Sequence, residues 1–122
     1  MAGTYSITIL STISHGNLND RWDQNRKEIV QNAIGLHEPM QSIGTSEEVI
    51  GFGDLGTVGR CEIINLDGTN YVDIGPESGG AMVPMVRLKP GECHAFRLKP
   101  GITLRGQANT AACKVQFRFY ED

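Results

Sequence analysis

The stretch Cys113-Lys114-Val115-Gln116-Phe117-Arg118-Phe119-Tyr120 decides the fold class. Cys113, Val115, Phe117 and Phe119 alternate with Lys114, Gln116, Arg118 and Tyr120. A period of two puts the first set on one side of an extended chain and the second on the other, whereas a helix would spread the same apolar residues round its circumference. The segment is predicted to be a β-strand with one buried face.

Upstream, residues 81 to 88, 93 to 98 and 102 to 107 are predicted as strands, punctuated twice by one tetrapeptide, Leu88-Lys89-Pro90-Gly91 and Leu98-Lys99-Pro100-Gly101. Pro fixes φ at the second turn position and Gly accepts the left-handed third, so both are predicted type II turns. Residues 60 to 66 and 71 to 74 flank Asp67-Gly68, a dipeptide that tolerates positive φ, and are predicted to form a β-hairpin. In the N-terminal half, Tyr5, Ile7 and Ile9 alternate with Ser6 and Thr8 in a strand over residues 5 to 13. A further strand, residues 48 to 52, leads into a glycine-rich connection.

Two readings stand for the segment between. Asp20 suits the cap of a helix carrying Trp22, Arg26, Ile29, Val30, Ala33 and Ile34 on one side and ended by Gly35. Alternatively, residues 27 to 34 and 36 to 43 are two strands broken at Gly35. The strands are favoured, because the surrounding chain is β and a lone helix of that length is marginal without packing. About nine short strands at roughly ten-residue intervals describe an all-β, antiparallel, jelly-roll-like β-sandwich, with a closed barrel as the other architecture. At 122 residues the chain is expected to be one domain, with residues 47 to 120 as the sandwich core and residues 1 to 45 as an attachment segment.

Fifteen glycines and 20% charged residues suit a turn-rich folded sheet. A net charge of −3, with Lys and Arg scattered among acidic neighbours, offers no electrostatic footprint for nucleic acid. The opening MAGTYSITIL has neither the basic nor the apolar region of a signal peptide, and no stretch is long and apolar enough for a membrane span. Synthesis and folding in a cytoplasm are expected. Cys61, Cys93 and Cys113 are odd in number and widely spaced, and are expected to be three buried free thiols.

Gly51-Phe52-Gly53-Asp54-Leu55-Gly56 has the letters of a dinucleotide fingerprint but leads into a strand where that motif requires a helix. His15, His37 and His94 have no ligand-pair spacing, and His94 shares a strand face with Phe96 and Leu98. Asp67-Gly68-Thr69-Asn70 with Asp73 resembles a calcium loop in composition without its twelve-residue spacing or terminal Glu. No serine stands in a GxSxG elbow, and Asp67, Asp73, Glu77 and Glu92 fall at strand or turn ends. Neither catalysis nor a cofactor or metal is expected.

The strand at Met82, Val83, Pro84, Met85 and Val86 is apolar on both faces. Either it is central and covered twice, or one face meets a partner. Met82, Val83 and Met85, with Trp22 and Tyr71, are the candidate partner interface.

Three stretches, Asn65-Leu66-Asp67-Gly68-Thr69-Asn70-Tyr71-Val72-Asp73-Ile74-Gly75, Val86-Arg87-Leu88-Lys89-Pro90-Gly91-Glu92 and Ala108-Asn109-Thr110-Ala111-Ala112, give the chain a likeness over residues 47 to 120. It resembles small β-sandwich virion proteins of tailed bacteriophages. The resemblance implies a non-enzymatic structural protein of the virion, most simply a head decoration or cement protein. Such a protein binds the major capsid protein or other virion proteins as a homo-oligomer, with a trimer expected. A tail or head-to-tail interface protein is the neighbouring reading. A carbohydrate-binding sandwich using Trp22, Tyr71 or Tyr120 as an aromatic platform is the alternative from another class.

Overall fold

The structure, a computed structural model, describes residues 3–122. The described residues hold twelve strands and no helix. The chain divides into two units, Met1–Ile34 and Gly35–Asp122.

In the first unit β1 (Gly3–His15) and β2 (Leu18–Gln31) form one antiparallel hairpin. They are joined by the two-residue loop Gly16-Asn17, with Gly16 at φ 57° as a type II′ turn requires. The ladder is interrupted between Ile7 and Ile9, where Asn25 and Arg26 oppose the single residue Thr8. Arg26 takes φ 40° there, and its N–H donates to Thr8 Oγ1 at 3.1 Å. This is a β-bulge whose extra N–H is satisfied by a side chain. The helix reading of this region is excluded. The favoured alternative, strand, is correct, but with other bounds: β2 starts at Leu18, ends at Gln31, and leaves Ile34 99% exposed.

The second unit is a sandwich of two five-stranded antiparallel sheets. One holds β10 (Cys93–Arg97), β6 (Val58–Asn65) and β12 (Cys113–Glu121), with β3 (Leu36–His37) and β4 (Met40–Ile43) both on the far side of β12. The other holds β5 (Glu48–Val49), β11 (Leu104–Ala108) and β7 (Val72–Ser78), with β8 (Ala81–Met82) and β9 (Val86–Leu88) both on the far side of β7. The count exceeds the roughly nine strands predicted mainly because prolines divide two of the predicted segments, residues 36 to 43 and 81 to 88. Pro39 separates β3 from β4, and Pro84 separates β8 from β9, since proline has no N–H for the ladder. Nor are all the strands short: β1 and β2 run 13 and 14 residues.

β12 behaves as its alternation requires. Cys113, Val115, Phe117 and Phe119 are all fully buried. Phe117 stacks on Phe119 at 5.5 Å, and Phe52 meets Phe119 edge-on at 4.9 Å. Each such ring contributes roughly 2 to 3 kcal/mol by leaving water. Opposite them, Val72, Ile74, Leu88, Leu104 and Ala108 complete one core shared by both sheets. Ile43 and Ile50 pack over Gly106, with Ile43 Cγ2 3.3 Å from where a Cβ would stand.

Both type II turns form as predicted. Gly91 and Gly101 have φ of 79° and 85°, and Glu92 N–H and Ile102 N–H return to the Lys89 and Lys99 carbonyls at 3.0 and 3.4 Å. Each turn carries the chain across the sandwich, from β9 to β10 and from β10 to β11.

The predicted hairpin at Asp67-Gly68 does not exist. β6 pairs with β10 and β12, while β7 pairs with β8, β9 and β11, so the two lie in different sheets. Gly68 is not in the left-handed region. Asp67 instead folds the connection, its Oδ2 accepting the N–H groups of Thr69 at 2.9 Å and Asn70 at 2.5 Å. That is an Asx-type loop, which dispenses with the positive φ of a tight hairpin.

Candidate functional site

The segment after β7 is shaped by two glycines and a proline. Gly79 and Gly80, at φ 62° and 81°, turn the chain so that Ala81 and Met82 pair with Ser78 and Glu77. Val83-Pro84-Met85 then leaves the ladder, and Val86 rejoins it opposite Ile74. Val83 N–H donates to the Pro76 carbonyl at 2.8 Å and Met85 N–H to the Ile74 carbonyl at 3.1 Å, so the bulge straddles Gly75. The result is a split in side-chain direction: Met82 is 7% exposed, while Val83 is 50% and Met85 64% exposed. Met82 N–H is held by the Glu47 carboxylate at 3.1 Å. Because β8 and β9 pair only with β7 among the described strands, this segment is a sheet edge and is not covered twice.

Beside the bulge, Arg87 reaches Asp73 with two hydrogen bonds of 2.8 and 3.1 Å and lies 3.9 Å over the Tyr71 ring. The Asp73 carboxylate raises the already high Arg87 pKa. Pro84, Met85 and Val86 join Asp73 and Arg87 round a shallow depression of about 330 Å³. Tyr71 therefore stands under Arg87, and its N–H is anchored on Asn109 Oδ1 at 3.2 Å. Tyr120 is in the other sheet, where its hydroxyl accepts from Arg118 at 2.9 Å and lies 3.2 Å from Glu62. One face of the Tyr71 ring is thus covered by Arg87, and the Tyr120 hydroxyl is already engaged.

The first unit, though the shorter, carries seven of the thirteen exposed large hydrophobic side chains among the described residues. Residues directly opposite in an antiparallel pair share a face. On one face the pairs are, from the turn inward, His15 with Leu18, Ile13 with Asp20, Ser11 with Trp22, Ile9 with Gln24, Ile7 with Lys27 and Tyr5 with Ile29. Seven of those twelve side chains are large and apolar. The other face is led by Ser6, Thr8, Thr12, Ser14, Arg21 and Glu28, with Leu10 and Val30 as its large apolar members. No described residue before Gly35 is buried, and Trp22 is 51% exposed.

Among known proteins, no family model, curated sequence or solved structure matches this chain. The function is accordingly read from the surfaces themselves.

The remaining candidates resolve into packing and loop chemistry. His37 lies against Phe119 at 6.4 Å and under Gly53, His94 against Phe96 at 5.4 Å, and His15 beside the hairpin turn. Among the described residues no three His, Cys, Asp or Glu side chains converge as metal ligands. The glycine-rich stretch at Gly51 to Gly56 precedes β6 and opens no helix. The Asp67 carboxylate is committed to its own loop, whose two N–H groups lower its pKa. Cys61 and Cys113 are buried as expected, but Cys93 is exposed, because it stands on β10 at the edge of its sheet. All three thiols are free.

One residue that matters was not singled out by its sequence context. Asn65 is completely buried, its Nδ2 donating to the Asn70 and Leu88 carbonyls at 3.0 Å each, its Oδ1 accepting Asp67 N–H at 2.9 Å. It ties the end of β6 to the end of β9, hence one sheet to the other. In sequence it stands inside the predicted strand of residues 60 to 66, with no role of its own.

Proposed function

We propose that the protein is a non-enzymatic structural component of a tailed-bacteriophage virion, a decoration or cement protein bound to the assembled head through the major capsid protein as a homo-oligomer. The observation that carries this reading is the exposed apolar surface, present on both units: the hairpin face with Trp22, and Val83 and Met85 on the sheet edge. Large outward-facing Ile, Leu, Trp and Met side chains on small units suit contact with protein. The likeness of residues 47 to 120 to small β-sandwich virion proteins supplies the setting.

Copy number and position in a particle reconstruction test the proposal. Many copies distributed over purified heads are expected. A single ring of copies at one vertex or along the tail points to the interface reading and refutes the cement role. The paired change Val83→Asp and Met85→Glu, both at exposed positions, is expected to weaken binding to heads while leaving the circular dichroism spectrum intact.

A further inference from the structure

The apolar face of the β1–β2 hairpin has no second layer in its own unit, and an isolated two-stranded ribbon is marginal in water. We propose that a second copy of the chain covers it. The two hairpins pack face to face and antiparallel, about a twofold axis that passes between the Ser11–Trp22 pair and the Ile9–Gln24 pair.

Charge selects this occupant and this orientation. Asp20 and Lys27 are the only carboxylate and ammonium on the face, both on β2, in the pairs immediately beyond those flanking the axis. A twofold axis perpendicular to the strands lays β2 on the reversed β2 of the second copy. Asp20 then meets Lys27 of the second copy, and by symmetry the contact occurs twice. The same rotation sets Ile13 on Ile7 and Leu18 on Ile29, apolar on apolar. An axis parallel to the strands would instead lay β2 on β1, placing Asp20 over Ile13 and Lys27 over Ile7. Both charges would then be desolvated without a partner.

Area sets the strength. Strands of this length, at roughly 3.4 Å per residue and roughly 4.8 Å apart, give a face on the order of 400 Å². Two such faces fall short of the roughly 1,200 Å² of a tight complex, so the association is reversible and concentration-dependent. It takes the hairpin face as the homo-oligomer contact, with Val83 and Met85 still exposed for another protein, and it does not depend on where the protein works.

Sedimentation velocity on the full chain, from low micromolar to millimolar concentration, tests the pairing. The wild type is expected to pass reversibly from monomer to dimer. Asp20→Lys and Lys27→Asp each place like charges together twice, and each is expected to weaken dimerisation at least tenfold. In an equimolar mixture of the two variants, one contact pairs the two introduced side chains and the other pairs the native Asp20 with the native Lys27. The mixture is therefore expected to restore the dimer as a heterodimer. That rescue also proves both variants folded; the double variant D20K/K27D is expected to dimerise alone. A wild type that stays monomeric, an odd-numbered assembly, single variants that associate as well as wild type, or a mixture and double variant that both fail to recover would each overturn the proposal.

Discussion

The carbonyl oxygen of Val83 occupies the space in which a side chain at Gly75 would begin, and Met85 N stands 3.1 Å from the same point. The bulge that turns Val83 and Met85 outward is therefore possible only over a residue without a Cβ. Gly75→Ala is expected to push the bulge off β7 and destabilise the sandwich by about 2 to 4 kcal/mol, in the range of overpacking at a rigid site. Urea denaturation measures it. Gly68→Ala is the control, because nothing stands within 4 Å of its Cβ and its φ is not positive. Equal losses in the two variants would refute the assignment.

Asn65 donates twice and accepts once in a fully buried position. Asn65→Ala strands the Leu88 carbonyl and the Asp67 N–H, and is expected to cost about 2 to 4 kcal/mol. Asn65→Asp, nearly the same shape, loses both donors and buries a carboxylate, so it should be no better than alanine. An Asp variant as stable as wild type at neutral pH would show that the two donated bonds are unimportant.

The three thiols are expected to separate into one fast and two slow on reaction with a disulfide reagent. Cys93 is exposed, whereas burial pushes the Cys61 thiol up to about 12 and also raises Cys113. Only a thiolate attacks, so the buried pair should react on unfolding. Cys93→Ser should abolish the fast phase. The raised value also fixes a sign: the stability Cys61 contributes is complete below its ordinary value of 9.0 and falls as pH rises from there toward about 12. Cys61→Ala should lose that part of the alkaline decline.

Asp67 should make the opposite contribution at acid pH. Hydrogen bonds from Asn70 and Thr69 N–H lower its pKa below the ordinary 3.8, so its contribution is present above that value and is lost as pH falls through the lowered one. Thermal melts of wild type and Asp67→Asn should therefore differ most near neutrality and converge as pH falls through the lowered value. A difference that widens on acidification would contradict this.

Every buried hydrophobic side chain among the described residues lies between Ile43 and Phe119. A chain beginning at Gly35 is thus expected to fold with a melting temperature close to that of the sandwich in the full protein. Removing only residues 1 to 20 should also leave the core intact, but it unpairs the remainder of β2 and leaves an open edge prone to aggregation. Calorimetry and light scattering on both truncations check this, and an unfolded Gly35–Asp122 fragment would refute it.

Local chemistry decided a definite share of this protein. The alternation from Cys113 to Phe119, the positive φ demanded of Gly91 and Gly101, and the period-two pattern of Tyr5, Ile7 and Ile9 are set by residues within a few positions of one another. They were legible for that reason. Which strand pairs with which is not a local property. Asp67-Gly68 has the letters of a hairpin, yet the buried Asn65 and the Asx loop send β6 and β7 to opposite sheets through bonds to Asn70 and to Leu88, 23 residues away. Met82, Val83 and Met85 are equally apolar in sequence. Only the close passage of Val83 over Gly75, and the missing N–H of Pro84, send Met82 inward and the other two to the surface, because side-chain direction follows the hydrogen-bonded partner and not the residue's own hydropathy.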